Sequence, residues 1–377
     1  MNHIYAPLAL AAVLTVLLAA QATAAEQVVR IGVSGPLSGA NAFAGKDNEN
    51  GVRLAVEELN AQKIALGANT LRFELVSEDD QGDPKAGVNV AQKFADAGVK
   101  FVLGPYNSGV AIPASRVYSE AGILMSTVGT NPKITQGGYT NVYRIVASDL
   151  QVGGSMAAYA AKELKLKNVG VIDDRTAFGQ GIAAQFKRQA KASGLSVAGH
   201  EFTTDKASDF SAILTAFKAR KVDAIFFGGY APQAAPMARQ MKQLGLNVKL
   251  LGGDTLCSPE MAKLGGDAVG ANVLCAQAGA ILAKQSGGPG FQQRYRKRFG
   301  RDADVYAPSF YDQTMFIAQA IRNAKSADPK AVGAQLHAGS YQGVVGDYAY
   351  DAQGNLKKTT VTVYTFNHGA LAPLASY

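Results

Sequence analysis

A chain of 377 residues, 47% hydrophobic and 18% charged, is long and apolar enough for two packed domains, which excludes a disordered or low-complexity chain. The formal net charge of +8 raises nucleic acid or a membrane surface as partners, but the basic residues are spread along the chain and no nucleic-acid partner is expected. Two cysteines and four histidines offer no metal-ligand spacing, so no metal or other cofactor is expected.

Residues 8–20 form an apolar core of the length of a signal h-region, and Ala22-Thr23-Ala24 is a small-residue cleavage pattern. The chain is therefore expected to be exported and cleaved after Ala24 or Ala25, although the first residues carry no Lys or Arg. No cysteine stands beside the cleavage site to carry a lipid, and no later stretch is long and apolar enough to span a membrane.

Strand-like runs at 28–34, 71–77, 101–103, 123–126 and 142–145 alternate with amphipathic stretches such as 48–60 and 85–97. After Ser148 the alternation restarts, with strands at 169–172, 197–202, 224–227, 249–251 and 273–275 and helices at 180–193, 210–219 and 232–244. This is the pattern of parallel sheets covered by helices. Helices are expected at 291–299 and 309–323, then a hairpin joining 346–350 to 359–366 through the turn at 351–355.

Two loops in the first series carry the strongest chemical signal. FVLGPYNSG (101–109) and ILMSTVGTNP (123–132) are buried strands that break into Gly, Pro and small hydroxyls. Ser108 opens the helical pattern 108–120, where a serine can cap the helix and where free N–H groups suit a carboxylate. Thr130 comes to the same carboxyl edge, where open α/β sheets bind ligands. The pair reads as a holder for a small zwitterion.

Enzymatic patterns fail on inspection. Gly39 to Gly45-Lys46 has five residues between its glycines and Asp47 where a phosphate loop needs Ser or Thr. No Gly-x-Ser-x-Gly turn is present, and the histidines stand near no nucleophile in sequence. The densest basic run, Arg294-Tyr295-Arg296-Lys297-Arg298, reads as a solvated helix face, with docking to an acidic partner as the other reading. Cys257 and Cys275 are 18 apart; an oxidising compartment permits a bond between them, and two separate buried thiols are the alternative.

IGVSGPLSGANAFAG at 31–45, DDQGDP at 79–84, the two loops, FFGGY at 226–230, GGD at 252–254 and the stretch 347–356 follow one another in a familiar order. With them the chain resembles the periplasmic substrate-binding proteins of ABC importers for branched-chain amino acids, the leucine/isoleucine/valine group of the type I periplasmic binding proteins. The resemblance covers essentially the whole mature chain. It implies two Rossmann-like α/β lobes joined by three crossing segments, lobe one at 26–147 plus 277–357 and lobe two at 148–276 plus 358–377. A ligand would lie between them. It also implies a periplasmic, non-enzymatic protein that delivers an amino acid to membrane permease subunits; a monomer is expected. An aromatic acid, an amide or urea, or a short peptide stays open as ligand, and so does a sensory role through a separate membrane partner.

Carried over residue by residue, Ser108 matches the position that grips the ligand α-carboxylate, and Thr130 the threonine that contacts both carboxylate and ammonium. Asp254 falls where the family has an acidic partner for the ammonium, one methylene shorter than the family's Glu. Tyr230 would reach the ligand on closure. Phe43, Tyr106, Phe178 and Tyr306 match or adjoin positions that wall the side-chain pocket, with Phe where the family has Tyr near 43 and at 178. Asn107 and Val128 would offer backbone groups; the loop between Met125 and Pro132 is one residue shorter than in the family.

Overall fold

The computed structural model describes residues 25–377, so the apolar core and cleavage pattern expected at 8–24 lie outside the described residues. The first series runs β1 (Glu26–Gly35), α1 (Ala42–Ala61), β2 (Ala65–Leu66), β3 (Asn69–Asp79), α2 (Pro84–Asp96), β4 (Phe101–Leu103), α3 (Ser108–Glu120), β5 (Leu124–Thr127) and β6 (Val142–Arg144). It builds a six-stranded sheet in the order β2-β3-β1-β4-β5-β6. Every neighbour pair is parallel except β2 with β3. Strands β4, β5 and β6 are buried at every residue. Helices on both faces demand this of a parallel strand, which is why these segments read as unbroken apolar runs.

The second series runs α4 (Asp149–Lys162), β7 (Asn168–Asp173), α5 (Ala177–Ala192), β8 (Ser196–Phe202), α6 (Ser211–Ala219), β9 (Ala224–Gly228), α7 (Ala231–Gln243), β10 (Lys249–Gly252), α8 (Pro259–Gly265) and β11 (Val273–Ala278). The chain then returns to the first sheet. Of α9 (Gly288–Phe299), α10 (Ala307–Ala324) and α11 (Pro329–Ala338), α10 packs on α1 and β4, and α11 packs on α10 and β5. After the short pair β12 (Tyr341–Gln342) and β13 (Asp347–Tyr348), the chain crosses back. There β14 (Val361–Asn367) and β15 (Ala370–Ser376) complete a seven-stranded sheet, β15-β14-β11-β10-β9-β7-β8.

The chain thus passes between the sheets three times, after β6, after β11 and before β14, as expected for the fold. The second and third crossings are bonded to each other. Gly279 N–H donates to the Thr360 carbonyl at 2.8 Å, and the Thr362 hydroxyl donates to the Gly279 carbonyl at 2.9 Å.

The tail departs from the expected hairpin. Residues 351–355 do turn, with Gly354 N–H donating to the Asp351 carbonyl at 3.1 Å, but only a single bridge, Tyr350 to Leu356, follows. Strand β13 pairs with β12, whereas β14 pairs with β11 and β15. The hairpin that forms is β14–β15, across His368 (φ 49°) and Gly369 (φ 79°). That left-handed pair is the backbone of a two-residue turn whose twist matches the strands.

Helices α4 and α11 were not expected either. Each start carries a capping signal: Ser148 and Gln151 form a capping box, and Asp328 accepts from Lys330 and Ala331 N–H groups. On α9 the arginines are matched, Arg294 with Glu58 and Arg298 with Glu57 at 2.8 Å, and Arg296 with Asp302 at 2.6 Å. Such exposed pairs are worth about 0–1 kcal/mol each, but they leave little uncompensated charge there to attract an acidic partner.

Candidate ligand-binding site

Every predicted site residue stands at or just after the carboxyl end of a strand or in the helix that follows it, apart from Tyr306, which immediately precedes α10. Phe43 lies in the first turn of α1 after β1. Tyr106, Asn107 and Ser108 follow β4, and Val128 and Thr130 follow β5. From the second sheet come Phe178 after β7, Tyr230 after β9 and Asp254 after β10. These are the edges where parallel strands release their loops toward a cleft.

The aromatic residues meet across the two lobes. The Tyr106 ring lies 6.2 Å from that of Tyr230 and 6.4 Å from that of Tyr306, and Phe178 lies 5.2 Å from Tyr230, centroid to centroid. All are tilted, the arrangement that ring quadrupoles favour. Val128 belongs to the same buried apolar cluster, and Phe43 packs against it. Gly104, at φ +115°, brings the Tyr106 loop against the Ser34 backbone, where a Cβ would collide with the Ser34 carbonyl.

Ser108 is not the helix cap that the sequence suggests. Asn107 takes the extended N-cap position of α3, and no side chain there accepts from the first turn. The Ser108 hydroxyl instead accepts from Asn131 N–H at 3.3 Å. Its own proton and the uncapped N–H groups of α3 are thereby left for an anion. Asn131 also reaches across the cleft, donating through Nδ2 to the Ala177 carbonyl at 2.6 Å.

Opposite these donors lie buried carboxylates. Asp254 is 2% exposed; one oxygen accepts from the Tyr306 hydroxyl, and Oδ1 has no partner. Burial pushes its carboxyl up to about 6, against the pull of the Tyr306 hydroxyl. Asp149, fully buried in the first turn of α4, has the Thr130 hydroxyl beside its carboxyl. Its backbone N–H donates to the Thr130 carbonyl at 2.8 Å. Burial lifts its carboxyl to about 8; the Thr130 hydroxyl opposes the shift, Asp254 adds to it and Arg144 opposes it. Sequence reasoning missed Asp149, and the signal that exposes it is the capping box of Ser148 and Gln151, which starts a helix at that point.

Cys257 and Cys275 are joined, with their Cα atoms 5.4 Å apart, so the turn carrying Asp254 is tied to β11. Thr255 on the same turn donates to the Gly229 carbonyl at 2.6 Å, beside Tyr230. The turn that presents the acid is fixed at both flanks.

The chain as a whole has counterparts. The sequence profile of the family described as periplasmic binding protein matches residues 28–370. The chain belongs to that family. The Leu/Ile/Val-binding protein homolog 1 of Brucella abortus is 35% identical over 351 residues, covering 91% of each chain. The leucine-, isoleucine-, valine-, threonine- and alanine-binding protein of Pseudomonas aeruginosa is 30% identical over 347 residues, 92% of each. Among solved structures, the leucine-binding protein LivK of Thermotoga maritima superposes with a TM-score of 0.85 at 27% identity, covering 92% of this chain and 98% of that one. The family is one of substrate-binding proteins, and the α/β fold with two sheets is the fold of these relatives.

Proposed function

We propose that this protein is the solute-binding component of an ABC importer, capturing a branched-chain or other apolar amino acid between its lobes and delivering it to the membrane permease. The observation that carries this reading is the buried Asp254, with one oxygen unpartnered, set against the hydroxyls and uncapped helix of the first lobe. A buried ammonium needs a carboxylate, and a buried carboxylate needs donors; a zwitterion satisfies both. Ser108 and Thr130 take the α-carboxylate, Asp254 the ammonium, and Tyr230 completes the cage on closure. Phe43, Tyr106, Phe178 and Tyr306 wall the side chain, with Asn107 and Val128 contributing backbone.

In this reading the lobes are 26–147 plus 277–357 and 148–276 plus 358–377. The protein is an exported, non-catalytic monomer cleaved near Ala24 or Ala25. A thermal-shift screen of refolded protein against the amino acids and against amine-free acids, amides and ureas tests it, because a ligand that binds only the native state raises the melting temperature. Stabilisation by leucine, isoleucine and valine that is lost in Asp254→Ala supports it. Stabilisation by amine-free compounds alone removes it.

A further inference from the structure

The cavity that holds Asp254 and Tyr306 is also bordered by Asn48 on α1, Asp304 ahead of α10 and Ser258 at the start of α8. Asn48 is 4% exposed, and its side-chain nitrogen has no hydrogen-bond partner. The Ser258 hydroxyl, from the second lobe, donates to Asp304 Oδ2 at 2.6 Å, and Val305 N–H donates to Oδ1 at 2.8 Å. Each Asp304 oxygen therefore keeps a lone pair free. Asp47 beside it is more fully engaged. Its Oδ1 takes the Tyr295 hydroxyl at 2.7 Å and Arg301 at 3.2 Å, and its Oδ2 takes Asp304 N–H at 2.9 Å. Asp47 holds the loop; Asn48 and Asp304 are the groups left to meet a ligand.

An unused N–H donor in the same cavity as an underused carboxylate suits a group that accepts one hydrogen bond and donates another. We propose that the cleft takes, besides aliphatic side chains, amino acids whose side chain ends in such a polar tip, a carboxamide above all. This rests on the amino-acid reading and widens its ligand class. Asparagine is the sharpest probe, because its carboxamide has the outline of leucine's isopropyl group.

Calorimetry on the refolded protein with leucine and asparagine decides the matter. A wholly apolar pocket strips the carboxamide of water without replacing it and disfavours asparagine by about 30-fold or more. With Asn48 and Asp304 in place, the two ligands are expected to lie within that factor. Asn48→Leu is expected to weaken asparagine by about tenfold or more and to leave leucine within about threefold. Asp304→Ala provides the same test should the first variant not fold. A wild-type gap of about 30-fold or more, or variants that weaken both ligands equally, overturns the polar tip and leaves the amino-acid reading standing. Binding of amine-free compounds with no amino acid bound removes both.

Discussion

The Tyr306 hydroxyl donates to one oxygen of Asp254 and leaves the other unpartnered. The tyrosine orients the acid and occupies half of it, and Asp254 borders the cavity that Phe43, Tyr106 and Tyr306 wall. Removing one partner of a buried ion pair typically costs 3–5 kcal/mol. Asp254→Asn is accordingly expected to weaken amino-acid binding by about 100-fold or more, as read by calorimetry. Tyr306→Phe removes only the orienting bond and is expected to lose about tenfold. Equal losses in the two variants would contradict this division of labour.

Binding should depend on pH through the same residue. The proposed ammonium contact requires an ionised Asp254, whose carboxyl sits at about 6 in the ligand-free protein. Affinity is expected to fall as pH drops below about 6, by up to tenfold per unit, with that part of the slope missing in Asp254→Asn. A titration of the dissociation constant between pH 4.5 and 8 measures it.

Stability of the ligand-free protein should run the other way. The folded carboxyl is raised from 3.8 to about 6, so the native state binds more protons than the unfolded chain between those values. Its contribution is fully present below 3.8 and is lost as pH rises through 6. Asp254→Asn, which carries no charge, is expected to exceed wild type by on the order of 3 kcal/mol at pH 8. Near pH 4 the two should be almost equal, as urea unfolding at both values would show.

Asp149 should behave differently. With its carboxyl near 8, the neutral acid prevails at pH 7, and Asn is its close mimic. Asp149→Asn is expected to keep ligand affinity within about threefold at pH 7. A loss of 100-fold would instead make Asp149 a charged partner of the ammonium.

The bond between Cys257 and Cys275 closes a loop over a sequence separation of 18. The chain-entropy account gives about 3 kcal/mol for a loop of that size. The double Ser variant is expected to lose that much in urea unfolding and also to bind more weakly, because the Asp254 turn loses one of its two ties.

The fold was legible because buried parallel strands such as β4, β5 and β9 are short apolar runs ended by Gly and Pro, and their loops must emerge at one edge. What escaped were features set by single polar residues. Asp149 hides in a helix whose apolar pattern is diluted by Gly153 and Gly154, and only its capping box betrays it. The β14–β15 hairpin turns on His368 and Gly369, whereas the Gly354 turn, with the stronger local turn pattern, joins no pair of strands. Asp304 meets Ser258 across 46 residues; no local pattern marks such a contact, since both side chains would look equally at home in solvent.

The bonds from Gly279 to Thr360 and Thr362 carry the β11–β14 ladder into the mouth of the second and third crossings and tie them together there. A tied pair bends across its face and resists sliding in its plane, while the first crossing anchors the lobes beside it. In the proposed function, this tie would favour opening of the lobes about one hinge axis over swivel of one lobe on the other.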